Sequence, residues 1–564
     1  MPKRKKSFAD QHELYESNDS DDDYAELINL PNPDDSGDSD EESDNEDFHS
    51  SNLDGNIEDF LSQYTYRKIS KCYRDDQTKL ENEHVYQWVD GEKIYNNDIQ
   101  NELLLSNTEK AKICISSYVE LFEMFFTDDM KNYIIEATRE NGYDLSKIDL
   151  NTFLGVIILS SFNERKSQRD YWSSDPLLSC DIVQQAITRN TFEQIKSHLK
   201  CSKPADKNPN DKAWRVRVLM NKFRKNIQRF GYFQTALSID EMMAKSYART
   251  SLLQFIRGKP IRRGLKFWGC CRSDGFLLDF DLYCGKDSNE NLLNKYSLGS
   301  RVVMNLLVPF FKKLSLTEIS RFHLYFDNFF TNFDLILHLQ KQGLRCTGTI
   351  RDNRVPKEAR NVIDKKALRG TCIAKHDQNS GINYISIKDS KQVSIASSIA
   401  GVSPKLPSQR YSAEKKARVD VHFPCAFHTY NKFMGGVDLH DNHCNNVLLC
   451  IRSKKWTWVV LIRLIQSPIV NELVLYNTCK SEDKKVGSKD FTMSIVRQYL
   501  ENGKKHRSKK HEVSYKELKK TIPLQNARSE PQNFATHVLY ISVKHALMIT
   551  MKNKVRIIEF RNYK

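Results

Sequence analysis

Apolar residues recur at helical spacing over 108–230, where Tyr118, Leu121, Phe122 and Phe125 share one face and Phe192, Ile195 and Leu199 another. A polar stretch from Lys203 and Pro204 to Lys212 interrupts that pattern as a loop. Strand-like runs dominate 236–285. Beyond them the spacing predicts a helix over 300–314, a strand over 321–326, a helix over 332–342 and a strand over 346–351. From 356 to 423 the pattern loosens into Ser, Lys and Pro, with one strand-like pair at 384–387 and 392–396. An apolar helix follows over 454–476, with Trp456, Val459, Val460 and Leu464 turned inward. Upstream, a polar lead-in holds one ordered element, Trp88-Val89-Asp90-Gly91, and far downstream 538–560 alternates as two short strands.

At 564 residues the chain exceeds what one core encloses and should divide into roughly three or four domains. Charge is uneven. Residues 7–66 carry 20 Asp and Glu and no Lys or Arg, after the basic cluster Lys3-Arg4-Lys5-Lys6. Taking these 20 acids and four bases from totals of 72 and 86 leaves 82 basic against 52 acidic side chains from Arg67 on, a balance of +30. Such a body suits a polyanion, nucleic acid above all. The Ser- and acid-rich tail reads as disordered, a shield for that body or a solubilising segment. No run of about 18 apolar residues is evident, which argues against a membrane partner. The thirteen cysteines are scattered without a Cys-x-x-Cys and read as reduced thiols.

Candidate chemistry lies in four aspartates. Asp240 and Asp327 end strand-like runs, and Asp438 and Asp441 follow Gly435-Gly436 at a spacing that puts both carboxylates on one face of a starting helix. An Asp at a strand end or helix start is ordinarily a turn or cap residue. Several carboxylates converging from such places would instead suit hard divalent cations and phosphoryl transfer.

Motifs in order along the chain weigh between those readings. They are Tyr118 to Phe126 with Asp128-Asp129-Met130, then Arg169-Asp170-Tyr171-Trp172-Ser173 with Asp175-Pro176-Leu177, and Asp240-Glu241-Met242-Met243. Next come Phe255-Ile256-Arg257-Gly258-Lys259-Pro260, Gly264-Leu265-Lys266-Phe267-Trp268 and Tyr283-Cys284-Gly285-Lys286. Asp327-Asn328-Phe329-Phe330-Thr331, Gly348-Thr349-Ile350-Arg351-Asp352-Asn353-Arg354, Tyr430 through Asp441, and Arg452-Ser453-Lys454-Lys455-Trp456 complete the set. Over about 122–476 this series resembles the piggyBac family of DDE/D DNA transposases and its host-derived relatives.

The resemblance implies an α/β fold: an RNase H-like catalytic core with mixed sheet and flanking helices, interrupted by an insertion and embedded in a helical dimerisation and DNA-binding region. The expected division is a disordered acidic tail (1–66), a lead-in (67–107), helical region (108–235), core (236–445) with insertion at about 356–425, helical region (446–480) and a basic C-terminal segment (481–564). By that resemblance Asp240, Asp327 and Asp438 correspond to the family's catalytic aspartates and Asp441 to the additional acidic residue of the catalytic site one turn further on. The first three are expected to hold two Mg²⁺ or Mn²⁺ ions. Arg452, Lys454 and Lys455 are expected on the DNA backbone. A nuclear homodimer acting on double-stranded DNA with inverted-repeat ends and TTAA targets is the implied enzyme. The other reading is a host-retained nuclear DNA- or chromatin-binding protein that no longer transposes.

Three features depart from the family pattern. No cysteine follows Cys479, so the family's cysteine- and histidine-rich zinc domain is expected to be absent or replaced, and no zinc is expected. Ser246-Tyr247-Ala248-Arg249 replaces a Phe-x-Gly-Arg-like string, and Asn442-His443-Cys444-Asn445-Asn446 is an unusual polar run. His440, His443 and Cys444 are a weak zinc set at this spacing.

Overall fold

The run that starts at 236 forms β2 (Ala236–Lys245), the axis of a ten-stranded mixed sheet in the computed structural model, which describes residues 84–95, 100–230, 234–257, 259–285, 297–412 and 415–521, with side chains to 509. The acidic tail, residues 67–83 of the lead-in and the strand pair expected at 538–560 lie outside the described residues.

On one side β2 pairs antiparallel with β4 (Arg263–Arg272), which carries β3 (Leu253–Phe255) and β5 (Leu277–Leu282) on its other edge. On the opposite side it runs parallel to β6 (His323–Phe326), and β6 runs parallel to β7 (Arg345–Thr349). Parallel neighbours need long crossovers. These are α8 (Leu298–Lys313) with the short α9 (Leu316–Ile319) before β6, and α10 (Phe333–Lys341) between β6 and β7. Cover on both faces of the sheet, the main apolar cluster against Leu324 and Phe326 and Phe433 against Tyr325, explains why all four residues of β6 are buried.

Beyond β7 the sheet continues antiparallel through β10 (Gln392–Ser397), β9 (Asn383–Lys388) and β8 (Cys372–Asp377) to β1 (Trp88–Asp90). A separate hairpin pairs β11 (Leu406–Ser412) with β12 (Ala417–Phe423). Residues 356–423 are thus more regular than their hydrophobic pattern suggests. Leu-Pro-Ser-Gln-Arg-Tyr-Ser in β11 alternates in exposure, but too few of its residues are apolar to register as a strand.

Helices precede and follow the sheet. Before it come α1 (Asn107–Ile115), α2 (Tyr118–Phe125), α3 (Asp128–Glu140), α4 (Lys147–Leu159), α5 (Asp181–Ala186), α6 (Arg189–His198) and α7 (Trp214–Gln228). Reciprocal caps, Ser106 with Glu109 and Ser117 with Glu120, start α1 and α2. After it come α11 (Cys425–Phe433), α12 (Gly436–Asn446), α13 (Trp456–Thr478) and α14 (Ser488–Thr521). One apolar cluster runs from Leu105 through the helices and sheet to Leu500. Ion pairs fasten α7 to β5: Arg224 binds the buried Asp279 at 2.6 and 2.7 Å, and the half-buried Arg217 and Asp281 meet at 2.6 Å.

Helix α13 is the apolar helix expected over 454–476, and polar residues interrupt it so that it holds no unbroken run of about 18 apolar residues. Among the described residues it is the one helix long and apolar enough to cross a membrane, yet most of it is buried within this fold. It carries Arg463, Gln466, Asn471 and Glu472 in its interior, and Asn471 pairs with the backbone of Leu277 through its Oδ1 at 2.8 Å and its Nδ2 at 2.9 Å. Its length and apolarity reflect burial on many sides by protein.

The contact that matters most for function is that of α12 with β2 and β4. A side-chain carbon on Gly436 would lie 2.2 Å from the Arg272 carbonyl oxygen and 2.7 Å from Ser238 Oγ, so only glycine lets the helix start this close to the sheet. Nothing surrounds the equivalent point on Gly435. Gly436→Ala is therefore expected to destabilise the fold by about 2 kcal/mol or more, while Gly435→Ala stays within roughly 0.5 kcal/mol of wild type. Denaturant melts of the two variants check this.

Candidate active site

Strand register assembles the first half of the site. Ile239 lies beside Phe326 in the parallel β2–β6 pair, so Asp240 and Asp327 are the next residues. Asp327 follows the end of β6 as expected, whereas Asp240 does not end its strand, because β2 continues to Lys245 in pairing with β4. Both are partly buried. The Glu241 N–H donates to Asp240 Oδ1 at 2.7 Å, and the Phe329 N–H to Asp327 Oδ1 at 2.9 Å. Thr331 Oγ1 donates to the Asp327 carbonyl at 2.7 Å, which tightens the turn after β6.

Helix α12 brings the other two acids. Opposite Asp240 on β4 stands Gly269, whose missing side chain leaves room for Val437 and Met242. Asp438 is largely exposed, and its Oδ1 lies 3.7 Å from Lys259 Nζ. Asp441 turns away toward α13, where Arg463 Nη2 meets its Oδ1 at 2.9 Å. The two carboxylates that helical spacing sets on one face therefore have different partners.

Electrostatics ties three of the four together. Burial pushes the Asp240 carboxyl up to about 7, Asp327 and Asp438 push the same way, and Lys259 and the Glu241 N–H oppose them. Burial also raises Asp327, helped by Glu241 and resisted by the Phe329 N–H, Arg351 and Lys259. The phenol of Tyr430, on α11, is driven up by burial and by the charges of Asp327, Asp240 and Asp438. Among the described residues no three His, Cys, Asp or Glu side chains are already gathered closely enough to hold an ion.

Five further residues belong to this site: Glu241, Lys259, Lys266, Tyr430 and Arg463. Lys259 Nζ is 3.9 Å from Glu241, and Lys266 Nζ is 2.8 Å from it while lying 3.9 Å above the Trp268 ring. Apart from Arg463, each sits inside a motif quoted above, so identity alone was available from sequence. Pairing across β2, β4 and α12 was not. Of the weak zinc set, His440 and Cys444 are buried together, Nε2 to Sγ 3.4 Å, with His440 Nδ1 2.9 Å from the Gly275 carbonyl and its Nε2 3.2 Å from Ser467 Oγ.

Arg452, Lys454 and Lys455 are exposed on the segment joining α12 to α13. Lys455 Nζ donates to the Ser197 carbonyl at 2.6 Å, and its ammonium is pulled down by burial and by Lys200. Lys196 is likewise lowered, chiefly by burial, with Lys455 adding to it. Together these lysines make a locally cationic surface where α6 meets the start of α13.

Comparison with known proteins extends these observations. Residues 117–472 match the family described as Transposase IS4. The human PiggyBac transposable element-derived protein 3 is 32% identical over 393 residues, 68% of this chain and 64% of that protein. The human PiggyBac transposable element-derived protein 2 is 29% identical over 399 residues, 68% and 66% respectively. The match thus spans slightly less than two thirds of each human relative. In fold, the chain is similar to a piggyBac transposase solved by cryo-electron microscopy as a synaptic complex with hairpin DNA, with a TM-score of 0.59, 19% identity, and coverage of 77% of this chain and 90% of that one.

The raised Asp240 carboxyl fixes a pH dependence. An unfolded aspartate releases its proton near 3.8, whereas the folded one holds it to about 7. The folded chain binds more protons between those values, so stability is fullest below the lower one and falls as pH rises through the window, by about 1 kcal/mol per unit. Asp240→Asn keeps the Glu241 hydrogen bond and loses this penalty. In chelator it is expected to melt above wild type at about pH 8 and beside it at about pH 4, as thermal melts at the two pH values would reveal.

Proposed function

The chain belongs to the piggyBac family of transposases and transposable element-derived proteins, and we propose from this that it cuts and joins DNA strands as a DDE/D enzyme. The observation that carries the reading is the adjacency of Asp240, midway along β2, and Asp327, just past the end of β6, with Asp438 near enough to raise the Asp240 carboxyl. We read β5–β4–β2–β6–β7, antiparallel across the first three and parallel across the last three, as an RNase H-like core. Residues 356–425 are read as its insertion, and the helices before and after as a dimerisation and DNA-binding region.

The donor set fits Mg²⁺ or Mn²⁺. It consists of carboxylates only, and the Lys259 ammonium already stands in for a cation among them. Asp240, Asp327 and Asp438 would hold two ions, with Asp441 in support. Bound there, they would supply neutralising charge for the attacking and leaving oxygens of a phosphodiester. The chain's own part is positioning. Backbone N–H groups of Glu241 and Phe329 fix the Asp240 and Asp327 carboxylates, and the exposed Asp438 is free to move toward them. Arg452, Lys454 and Lys455 would bind duplex phosphates and set the strand's register without reading sequence. A homodimer working in the nucleus on inverted-repeat ends, with TTAA targets, completes the reading drawn from the family.

A second reading has an observation of its own. Asp438 faces a lysine and Asp441 an arginine, so two of the four acids have internal cationic partners. A DNA- or chromatin-binding protein that no longer transposes would keep the cationic surface and dispense with cutting.

Asp327→Asn separates the two readings. It preserves shape and removes a charge, so Mn²⁺ affinity is expected to fall by more than about tenfold and nicking or hairpin formation on the element's own ends to vanish, while duplex binding persists. Cleavage by the variant at the wild-type rate would refute the site; cleavage by neither favours the second reading. Independently, replacing Arg452, Lys454 and Lys455 together by alanine should weaken binding to all duplexes alike and reduce the salt slope by about 2 to 3, measured by titration at several salt concentrations.

A further inference from the structure

Lys259 lies in the turn from β3 to β4, closed by the Ile256 N–H donating to the Arg262 carbonyl at 2.8 Å. That turn, 256–263, contains Arg257, Lys259, Arg262 and Arg263 and no acid. The three arginines are exposed, while Lys259 points inward. Its ammonium is shared between Asp438 at 3.7 Å and Glu241 at 3.9 Å. Both separations exceed the 2.7–2.9 Å or so of a close charge-assisted hydrogen bond. Lys266 differs: it is 2.8 Å from Glu241 and packed over the Trp268 ring, so it is anchored. Lys259 is held by charge alone and is readily displaced.

We infer that Lys259 is a resident counter-cation of the acid cluster, which competes with divalent metal and is drawn off when the arginine-bearing turn meets a nucleic-acid backbone. An ammonium and a divalent ion cannot share the same carboxylates without strong like-charge repulsion. With neither metal nor DNA, Lys259 offsets the repulsion among the acids and keeps Asp438 close. A duplex offers phosphates to Arg257, Arg262, Arg263 and the departing lysine. Metal binding and DNA binding then favour each other by the same factor. The enzyme is in this way guarded against holding its metals without a substrate.

The inference rests on the metal reading above, and the test separates the two. Mn²⁺ binding to the full chain is measured by calorimetry, with and without a short duplex, for wild type, Lys259→Met, Lys259→Arg and Asp240→Asn. Without DNA, Lys259→Met is expected to bind Mn²⁺ about tenfold more tightly than wild type and Lys259→Arg about as wild type does. Adding duplex should bring wild type close to Lys259→Met and leave Lys259→Met nearly unchanged. Should the methionine variant not fold, as judged by circular dichroism, Lys259→Gln removes the same charge. A neutral variant that folds yet binds Mn²⁺ no more tightly overturns the competition, and a wild-type affinity indifferent to duplex overturns the release. Loss of Mn²⁺ binding in Asp240→Asn alongside either result confines the failure to Lys259. Undiminished binding by Asp240→Asn overturns the metal reading and this inference together.

Discussion

Parallel pairing of β2 with β6, in the register that sets Ile239 beside Phe326, is the constraint from which the site follows. Shift one strand by a single residue and Asp240 and Asp327 change faces relative to each other. The register is held by burial. Leu237, Ile239, Leu324 and Phe326 are fully enclosed on one face and Ala236, Ser238 and Tyr325 on the other, so a slip would exchange residues of different size and polarity between two packed faces. Two crossovers, α8 before β6 and α10 after it, supply the chain length that parallel neighbours require. The same arrangement leaves one face of β2 and β4 open to α12, which supplies Asp438.

Gathering carboxylates at one place costs energy, and the surrounding residues show how the cost is met. Asp240 is raised by burial and by its acidic neighbours, and a buried carboxylate left alone would take up a proton. Backbone N–H donors answer part of this at Asp240 and Asp327. Cations answer the rest: Lys259 between Asp438 and Glu241, Lys266 on Glu241, Arg463 on Asp441. These side chains differ in how firmly they are held. Arg463 is almost wholly buried and also donates to the Met243 carbonyl at 3.2 Å, so it fixes Asp441 as part of the α12–α13 contact. Lys259 has no comparable anchor.

Local patterning made much of the fold legible. The helix expected over 300–314 is Leu298–Lys313 and the strand expected over 321–326 is His323–Phe326, because each carries an uninterrupted apolar run or stripe with clear start signals. Strands β8, β11 and β12 were not legible, since their residues are half exposed and mostly polar, and tertiary pairing decides their conformation. Likewise the aspartates stood out by motif, whereas Lys259 and Arg463 did not. A charged side chain acquires its partner from folding: Lys259 is 179 positions from Asp438 along the chain, and no spacing rule links them. Helix α13 was legible as well: the apolar segment expected over 454–476 is Trp456–Thr478, enclosed by α12, α14 and β2.

The division of labour between the acids bears on how strand chemistry and binding can part company during evolution. Asp441 is tied to Arg463, and through it to the buried helix α13, so its replacement would leave a buried arginine unpaired and cost stability as well as chemistry. Asp438 is exposed and bound loosely, and its charge supports the fold only through the first turn of α12. A descendant that has abandoned strand cutting would therefore be under structural pressure to keep Asp441 and under little to keep Asp438. Retention of Asp438 here carries more weight for chemistry than retention of Asp441, because its structural role is limited to that of an exposed carboxylate in the first turn of α12, worth about 0.3–1 kcal/mol.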